Sequence, residues 1–426
     1  MGRPKKPTPN VEKAPHRLPG SFDLGQDQFM SWEGFWEKVV ALSRTFGFSQ
    51  VQTPMFEDSR LFGFWSKVGC QLLNFLQTKG PSIAAAPAGI FGLARLYLPL
   101  QEQEPIKVVK WYYDMLVACW DEKNELKQNR EFGFQIFGPV APVSDAQLLN
   151  LLLRLFTEVG LSNFSLEVNN VGCVECQPNY QDQLKIYFKD KKYDLCENCL
   201  IYLEAGNPLQ IFACKNLACS TTTTDAPVIV DYLCETCRAQ LISVLEGLDE
   251  LAISYNLNPH VIGRPWNRRT VFELRCRIAD QDFVLGTGGH SDELIQSLGG
   301  AACPALGFDS TQEVILKALE LAQIKFAAKH RAEVFLVPLG ELAAKKSLKL
   351  FTELWNHDII ASEFSGPSSI KMQLKLAESS KASIALIIGH KEAREGTVIL
   401  RDVRSGMQEL FVIDRIIDEV KKRLGR

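Results

Sequence analysis

No stretch of the sequence approaches the roughly 20 consecutive apolar residues that cross a bilayer, so no membrane-spanning helix and no membrane partner is expected. The chain also lacks a strong excess of either charge. A net charge of −3 at pH 7 creates no global field that gathers nucleic acid, and any nucleic-acid surface must be a local patch. The first residues are basic and Pro-rich and have no apolar segment of the kind a secretory signal needs. A cytoplasmic location follows by default, and with it a reducing compartment where disulfides are rare. The twelve cysteines therefore call for another reading, and metal binding is the first candidate.

What is present is ordinary globular material. The chain has 426 residues, 46% hydrophobic and 23% charged, enough for two or three domains and a substantial core. Residues 1–20 hold five Lys or Arg against one Glu and read as a flexible basic arm. Within it, Gly2, Arg3 and Pro4 fit a solubilising tail or a minor-groove hook. Apolar residues recur at helical spacing from 29 to 46 (Phe29, Trp32, Phe35, Val39, Leu42). An extended stretch over 50–55 follows. Strands are predicted at 108–116, 132–138 and 164–172, with a helix at 144–159 and another at 239–251. Strands return at 270–278 and 282–285, then a Gly-rich turn at 286–289 and a long helix over 311–329. From 331 onward strand and helix alternate, which predicts a compact α/β domain with a mostly parallel sheet.

Eight of the cysteines fall between 173 and 237, as Cys173-x2-Cys176, Cys196-x2-Cys199, Cys214-x4-Cys219 and Cys234-x2-Cys237. A tight Cys-x2-Cys turn aims two thiolates at one ion. Two such pairs make the tetrahedral sulfur set that suits zinc, and soft thiolates select zinc or iron–sulfur over hard cations. Four pairs fill two structural zinc sites with nothing left over; which pair joins which is open among three pairings. Closed four-thiolate sites leave no coordination position for catalysis. Their role would be to hold an insertion too small to stabilise itself by burial. Cys70, Cys119, Cys276 and Cys303 stand alone in apolar surroundings and read as core packing.

Several stretches, in order, resemble the histidyl-tRNA synthetase family over residues 20–426. Gln52-Thr53-Pro54-Met55-Phe56-Glu57 is similar to the family's motif 1 strand. Asn207-Pro208-Leu209, Cys214-Lys215-Asn216 and the run around Cys234 and Cys237 are similar to a cysteine-bearing form of its insertion. Arg269-Thr270-Val271-Phe272-Glu273 resembles the end of one histidine signature. Thr287-Gly288-Gly289 with the run 292–300 resembles a second. Ile387-Ile388-Gly389, Glu392, Gly396-Thr397-Val398 and Arg401-Asp402 look like its anticodon-binding domain. The resemblance implies a class II antiparallel sheet core (21–172 and 251–329) interrupted by the cysteine-rich zinc insertion (173–250). It also implies an α/β anticodon-binding-like domain (330–426) and a homodimer formed through motif 1.

The resemblance also shows what is missing. Adenylation joins a carboxylate to a phosphate, both negative, so the site must hold fixed cations and magnesium. Arginine suits this because it stays charged and binds phosphate bidentately. By register, the motif 2 arginine falls at Val117 and the acidic residue after it at Cys119. The histidine-signature arginine falls at Ile262, and the motif 3 arginine at Val314. The loop whose glutamate holds the substrate amino group reads Ala86-Pro87-Ala88-Gly89, which puts that glutamate at Ala88. The family's aspartate-tyrosine-tyrosine is Pro265-Trp266-Asn267, and His290-Ser291 replaces arginine-tyrosine. Removing one such charged group costs about 3–4 kcal/mol of transition-state stabilisation. Arg264, Arg268 and Arg130 are close in sequence, but their positions on strand or turn should aim them elsewhere. His290 reads as an exposed loop histidine.

The C-terminal domain shows no comparable loss. Lys391, Arg394, Arg401 and Arg404 form a local basic cluster that either meets an RNA backbone or is a solvated face. Three functions remain in view. One is a synthetase-like protein unable to activate histidine that binds tRNA or another RNA. One is a working histidine–tRNA ligase that uses ATP and magnesium. The last is a regulatory synthetase-like subunit, against which the retained anticodon-binding-like domain counts.

Overall fold

The protein is described from a computed structural model, which describes residues 16–63, 65, 71–75, 80, 82–104, 107–121, 123–139, 141–326, 332–363 and 369–426. The start of the basic arm, with Gly2, Arg3 and Pro4, and Cys70 lie outside the described residues. The chain divides after Phe326 into two compact units.

The first unit opens with helix α1 (Gln26–Thr45), whose apolar stripe of Trp32, Phe35, Val39 and Leu42 is buried. Strand β1 is only Ser49–Gln50, shorter than the extended stretch expected over 50–55. Pairing stops near Pro54, which has no N–H to donate to a ladder. A small sheet follows, β2 (Phe56–Asp58), β4 (Asn74–Phe75) and β5 (Ile83–Ala85), with β3 (Gln71–Leu72) pairing elsewhere. Helix α2 (Gly89–Gln103) leads into two long strands, β6 (Val109–Trp120) and β7 (Leu126–Phe137), paired antiparallel along their whole length. Helix α3 (Val143–Val159) and β8 (Phe164–Asn170) follow.

Between β8 and β9 (Asn256–Leu257) the described structure is helical: α4 (Cys176–Asp190), α5 (Glu197–Glu204), α6 (Leu217–Thr224) and α7 (Glu235–Glu250), with short 3-10 turns. Its buried Tyr180, Leu184, Phe188, Phe212 and Val244 belong to the same continuous cluster as Phe35, Leu152 and Phe308 of the core. The insertion thus grows out of the main core.

Strands β10 (Arg268–Ile278), β11 (Gln281–His290) and β12 (Ala305–Thr311) complete the main sheet; α8 (Asp292–Ser297) lies between the last two and α9 (Gln312–Leu321) follows. The sheet order is β1-β6-β7-β12-β11-β10-β8-β9, with β3 on β6. Its long strands pair antiparallel, the class II architecture. Residues 286–289 are not a turn. They continue β11 and pair with both β10 and β12. The glycines are there because aromatic rings lie on the strand: a Cβ on Gly286 would sit 2.3 Å from the Phe308 ring, and one on Gly288 2.3 Å from the Phe272 ring. Helix α9 stops at Leu321, short of the expected 329, because Gln323 takes positive φ. The chain then turns back to set Phe326 against Gly34.

The second unit alternates β13 (Val334–Pro338), α10 (Glu341–Asn356), β14 (Ala361–Glu363), α11 (Ile370–Ser380), β15 (Ile384–Ile388), α12 (His390–Glu395), β16 (Thr397–Asp402), β17 (Gln408–Val412) and α13 (Ile413–Leu424). The sheet is mixed rather than mostly parallel: β14-β13-β15 run parallel, while β15-β16-β17 run antiparallel. The short α12 link between β15 and β16 does not reach the dozen or so residues a parallel crossover needs.

Candidate functional site

The eight clustered cysteines resolve into two groups, Cys173, Cys176, Cys234 and Cys237, and Cys196, Cys199, Cys214 and Cys219. In each group the sulfurs lie within 4.8 Å of one another. Sulfur–sulfur separations include 3.6 Å (Cys173–Cys176), 3.9 Å (Cys173–Cys234) and 3.8 Å (Cys196–Cys214). A tetrahedral zinc with 2.3 Å bonds spaces its sulfurs by roughly 3.8 Å, so both sets fit the ion. Backbone N–H groups also donate to the sulfurs, from Cys234 to Cys176 at 3.1 Å and from Cys196 to Cys219 at 3.2 Å. Burial alone would raise the Cys173 thiol, but the N–H groups around it bring it down to about 7. Cys196, facing the N–H of Cys199, is likewise lowered to about 7. Of the remaining cysteines, Cys119, Cys276 and Cys303 are buried, as expected of core residues.

The positions read as vacated do not all meet. Val117 in β6 and Ala88 at the start of α2 are buried in one apolar cluster with Cys119, Trp65, Phe91 and Trp266. Trp266 stacks on Trp65 at 5.7 Å and meets Phe91 edge-on at 5.2 Å. Ile262 packs instead against the larger core, and Val314 lies half-buried in the first turn of α9.

Beside Trp266 the sheet leaves a narrow cleft, about 230 Å³ with its open mouth, in which the centre of a water molecule has only about 10 Å³ to move. That is room for about one water. Its polar lining is Gln135 from β7, Asp309 from β12, Thr287 from β11, Ser291 just after β11, and Arg264 and Asn267 from the loop before β10. Arg264, whose position suggested another direction, points into the cleft, 3.9 Å from Asp309. Arg130 and Arg268 do point elsewhere: Arg130 binds Asp114 at 2.6 Å and Arg268 binds Glu293 at 2.9 Å.

Glu131, 8% exposed, lies behind the cleft. Its Oε1 accepts the N–H of Gly89 at 2.7 Å and the hydroxyl of Tyr113 at 2.8 Å. A carboxylate thus stands against the loop at Ala88, supplied from a different strand. Burial, reinforced by the charge of Asp309, pushes its carboxyl up to about 7. Burial raises Asp309 as well, against the pull of Arg264 and Thr287. Glu131, Gln135 and Asp309 were not singled out from the sequence. A signal existed: Phe132, Phe134 and Ile136 enter the large core, which leaves Glu131, Gly133 and Gln135 together on the other face of the strand.

His290 is not an exposed loop residue. It ends β11, is 2% exposed, and its Nε2 lies 2.8 Å from Oδ1 of the fully buried Asp145 of α3. Burial opposes a charge on the ring, but Asp145 and then Asp292 outweigh it and the pKa is pushed up to about 10. Gln240 of α7 reaches the same Nε2 at 3.3 Å, and Asn267 of the cleft donates to the His290 carbonyl at 3.0 Å. His290 therefore joins the insertion's last helix to the cleft.

In the second unit the four basic residues are exposed or half-exposed and enter no ion pair among the described residues. Lys391 and Arg394 are on α12, which packs against β16; Arg401 is on β16 and Arg404 just beyond its end.

Known proteins resemble this chain over nearly its whole length. The chain is 30% identical over 413 residues to a histidine–tRNA ligase of Dehalococcoides mccartyi, covering 95% of this chain and 99% of the relative. The chain belongs to the histidyl-tRNA synthetase family. A histidine–tRNA ligase of Caldicellulosiruptor bescii is 28% identical over 417 residues, covering 96% of this chain and 98% of that protein. Residues 333–423 match the anticodon binding domain family. The apo histidyl-tRNA synthetase of Staphylococcus aureus superposes with a TM-score of 0.77 at 24% identity, covering 95% of this chain and all of that one. A Bacillus halodurans protein described as an ATP phosphoribosyltransferase regulatory subunit/histidyl-tRNA synthetase superposes with a TM-score of 0.62 at 16% identity, over 90% of this chain and 99% of that one. Both likenesses speak to the fold. No described helix is long and apolar enough to cross a membrane.

Proposed function

We propose that this synthetase-family chain no longer activates histidine and acts by binding tRNA or another RNA through its anticodon-binding domain and its zinc-held insertion. The observation that carries this reading is the burial of Val117, Ala88 and Cys119 with Trp65 and Trp266 in one apolar cluster. The reaction needs cations there to gather phosphate and carboxylate. The adjoining cleft offers Asp309, with Glu131 behind it, against Arg264 alone, a balance that repels a triphosphate. Zinc fills both cysteine sets in this proposal, and the protein is a cytoplasmic homodimer. Its proposed domains are 1–20, 21–172, 173–250, 251–329 and 330–426. RNA contacts are assigned to Lys391, Arg394, Arg401 and Arg404, and the vacated positions are Val117, Ile262, Val314 and Ala88.

One observation favours a second reading, a working ligase using ATP and magnesium. Arg264 reaches the cleft from two residues beyond Ile262, so a lost cation could be replaced from the next turn of the loop. Histidine-dependent exchange of pyrophosphate into ATP separates the two. The non-activating reading expects none above a no-histidine control, and exchange at the rate of an active synthetase would overturn it.

A further inference from the structure

The cleft keeps features that a merely collapsed site would not need. Gln135 is 2% exposed and lines the cleft, yet its Oε1 has no hydrogen-bond partner. A buried acceptor left unpaired costs about 1–3 kcal/mol, which a ligand's donor would recover. Asp309 is next to it, on β12. Gly307 pairs with Gln135 across the strands, and a Cβ there would meet the Gln135 amide oxygen at 2.0 Å. The Gln135 amide therefore lies over Gly307, in the place a side chain would take, and glycine is what lets it lie there. Thr287 donates to Asp309 at 3.3 Å, which fixes the carboxylate. At the mouth, Arg264 is about half-exposed, and among the described residues its guanidinium pairs with Asp309 at 3.9 Å.

Two acceptors thus face inward and one guanidinium stands at the mouth. An ammonium group matches the acceptors, and a carboxylate matches the planar fork of arginine. The room limits what lies between them. The inner space holds about one water, the size of an ammonium head. The apolar wall is Trp266, 3% exposed and wedged between Trp65 and Phe91. The narrow space beside that ring favours a hydrogen, methyl or hydroxymethyl side chain over an imidazole.

We infer that the cleft binds a small amino acid as a zwitterion, with its ammonium group on Asp309 and Gln135 and its carboxylate on Arg264. This inference rests on the proposed non-activating reading: the ligand is held without being adenylated. Glu131 adds negative charge behind the ammonium without touching it.

The test uses the full-length, zinc-loaded protein, titrated by calorimetry and by tryptophan fluorescence, since Trp266 is in the wall. The probes are glycine, L-alanine, L-serine, L-histidine, methylamine and magnesium ATP. At least one of the three small amino acids should bind saturably and at least tenfold more tightly than histidine or ATP. Asp309→Asn should weaken that ligand at least tenfold. Arg264→Gln should weaken it similarly while leaving methylamine, which has no carboxylate, unchanged. Melting curves of both variants establish that they are folded; should Asp309→Asn not fold, Arg264→Gln at the exposed mouth carries the test alone. Absence of saturable binding by all three small amino acids would overturn the inference, as would histidine binding equally well. So would unchanged affinity in the folded Arg264→Gln protein. Failure here without pyrophosphate exchange leaves the non-activating reading standing, whereas exchange with histidine removes that reading itself.

Discussion

The cysteine insertion and the cleft of the main sheet are both polar centres inside one unit, and they are built in opposite ways. The insertion draws its chemistry from neighbours in sequence: three of its four cysteine pairs are Cys-x2-Cys turns, and the pairs meet across short helices. The cleft draws Gln135, Arg264, Thr287 and Asp309 from three strands and a loop that span most of the unit. The insertion has a complete ligand set. The cleft has an acceptor without a partner and two raised carboxyls. A site coded by local spacing persists whole or is lost whole. A site assembled by a sheet can lose members one at a time while the scaffold stands.

Removing zinc should produce the largest change. Structural zinc in small finger domains contributes about 10–16 kcal/mol of apparent binding energy, so chelation should unravel α4–α7. Metal analysis should find two zinc ions per chain, and helical circular dichroism should fall after chelation. A metal content below one per chain would break the contrast between a complete ligand set and a cleft with an unpaired acceptor.

His290 is where the two regions meet, and its substitution ranks next. His290→Ala leaves Asp145 buried without a counter-charge, a change that typically costs about 3–5 kcal/mol. The ring's pKa is raised from 6.5 to about 10, so its stabilisation is full below 6.5 and fades as pH rises through 10. Denaturant melts at pH 6 and pH 10 should show the wild-type advantage over His290→Ala shrinking. A constant difference would mean the ring is not charged in the fold.

Glu131 follows pH in the same direction, but its substitution should stabilise the protein rather than destabilise it. Its carboxyl rises from 4.5 to about 7, so the folded state holds a proton that the unfolded chain releases, and stability falls as pH rises between those values. The facing groups are Tyr113 on β6, Asp309 on β12, Arg264 before β10 and the Gly89 N–H. Glu131→Gln should melt above the wild type at pH 8, by roughly 1–3 kcal/mol in stability. The gap should close toward pH 5.

The smallest effect concerns the second unit. Lys391→Ala with Arg394→Ala should weaken tRNA binding a few-fold in 0.1 M salt and reduce the salt slope by roughly two, one for each phosphate no longer neutralised. An unchanged slope in filter-binding assays would move the RNA surface off α12.

Much of this was legible in the sequence, and the failures share a cause. The cysteine pairs, the long apolar stripes of α1 and α3 and the alternation after 331 are local patterns, and each corresponds to structure. The pairing of cysteine pairs was not legible, because three closures satisfy the same spacing. Residues 286–289 resemble a turn only until the rings of Phe272 and Phe308 are known to cover them. His290 resembles a loop residue until Asp145, 145 positions away, is found against it. The strand Gln408–Val412 carries exposed Leu410 and Val412 and lacks the inward apolar face that marks a strand. Around the cleft, register pointed to Ala88 and Val117 but not to Glu131 or Asp309, which become neighbours only when β7 and β12 pair.

The most direct measurement is pyrophosphate exchange with histidine, ATP and magnesium on the zinc-loaded protein, run beside a working histidine–tRNA ligase. No exchange above the histidine-free background is the result expected of an apolar cluster at Val117 and Ala88. Exchange within tenfold of the working enzyme would contradict it and would assign the missing cation to Arg264.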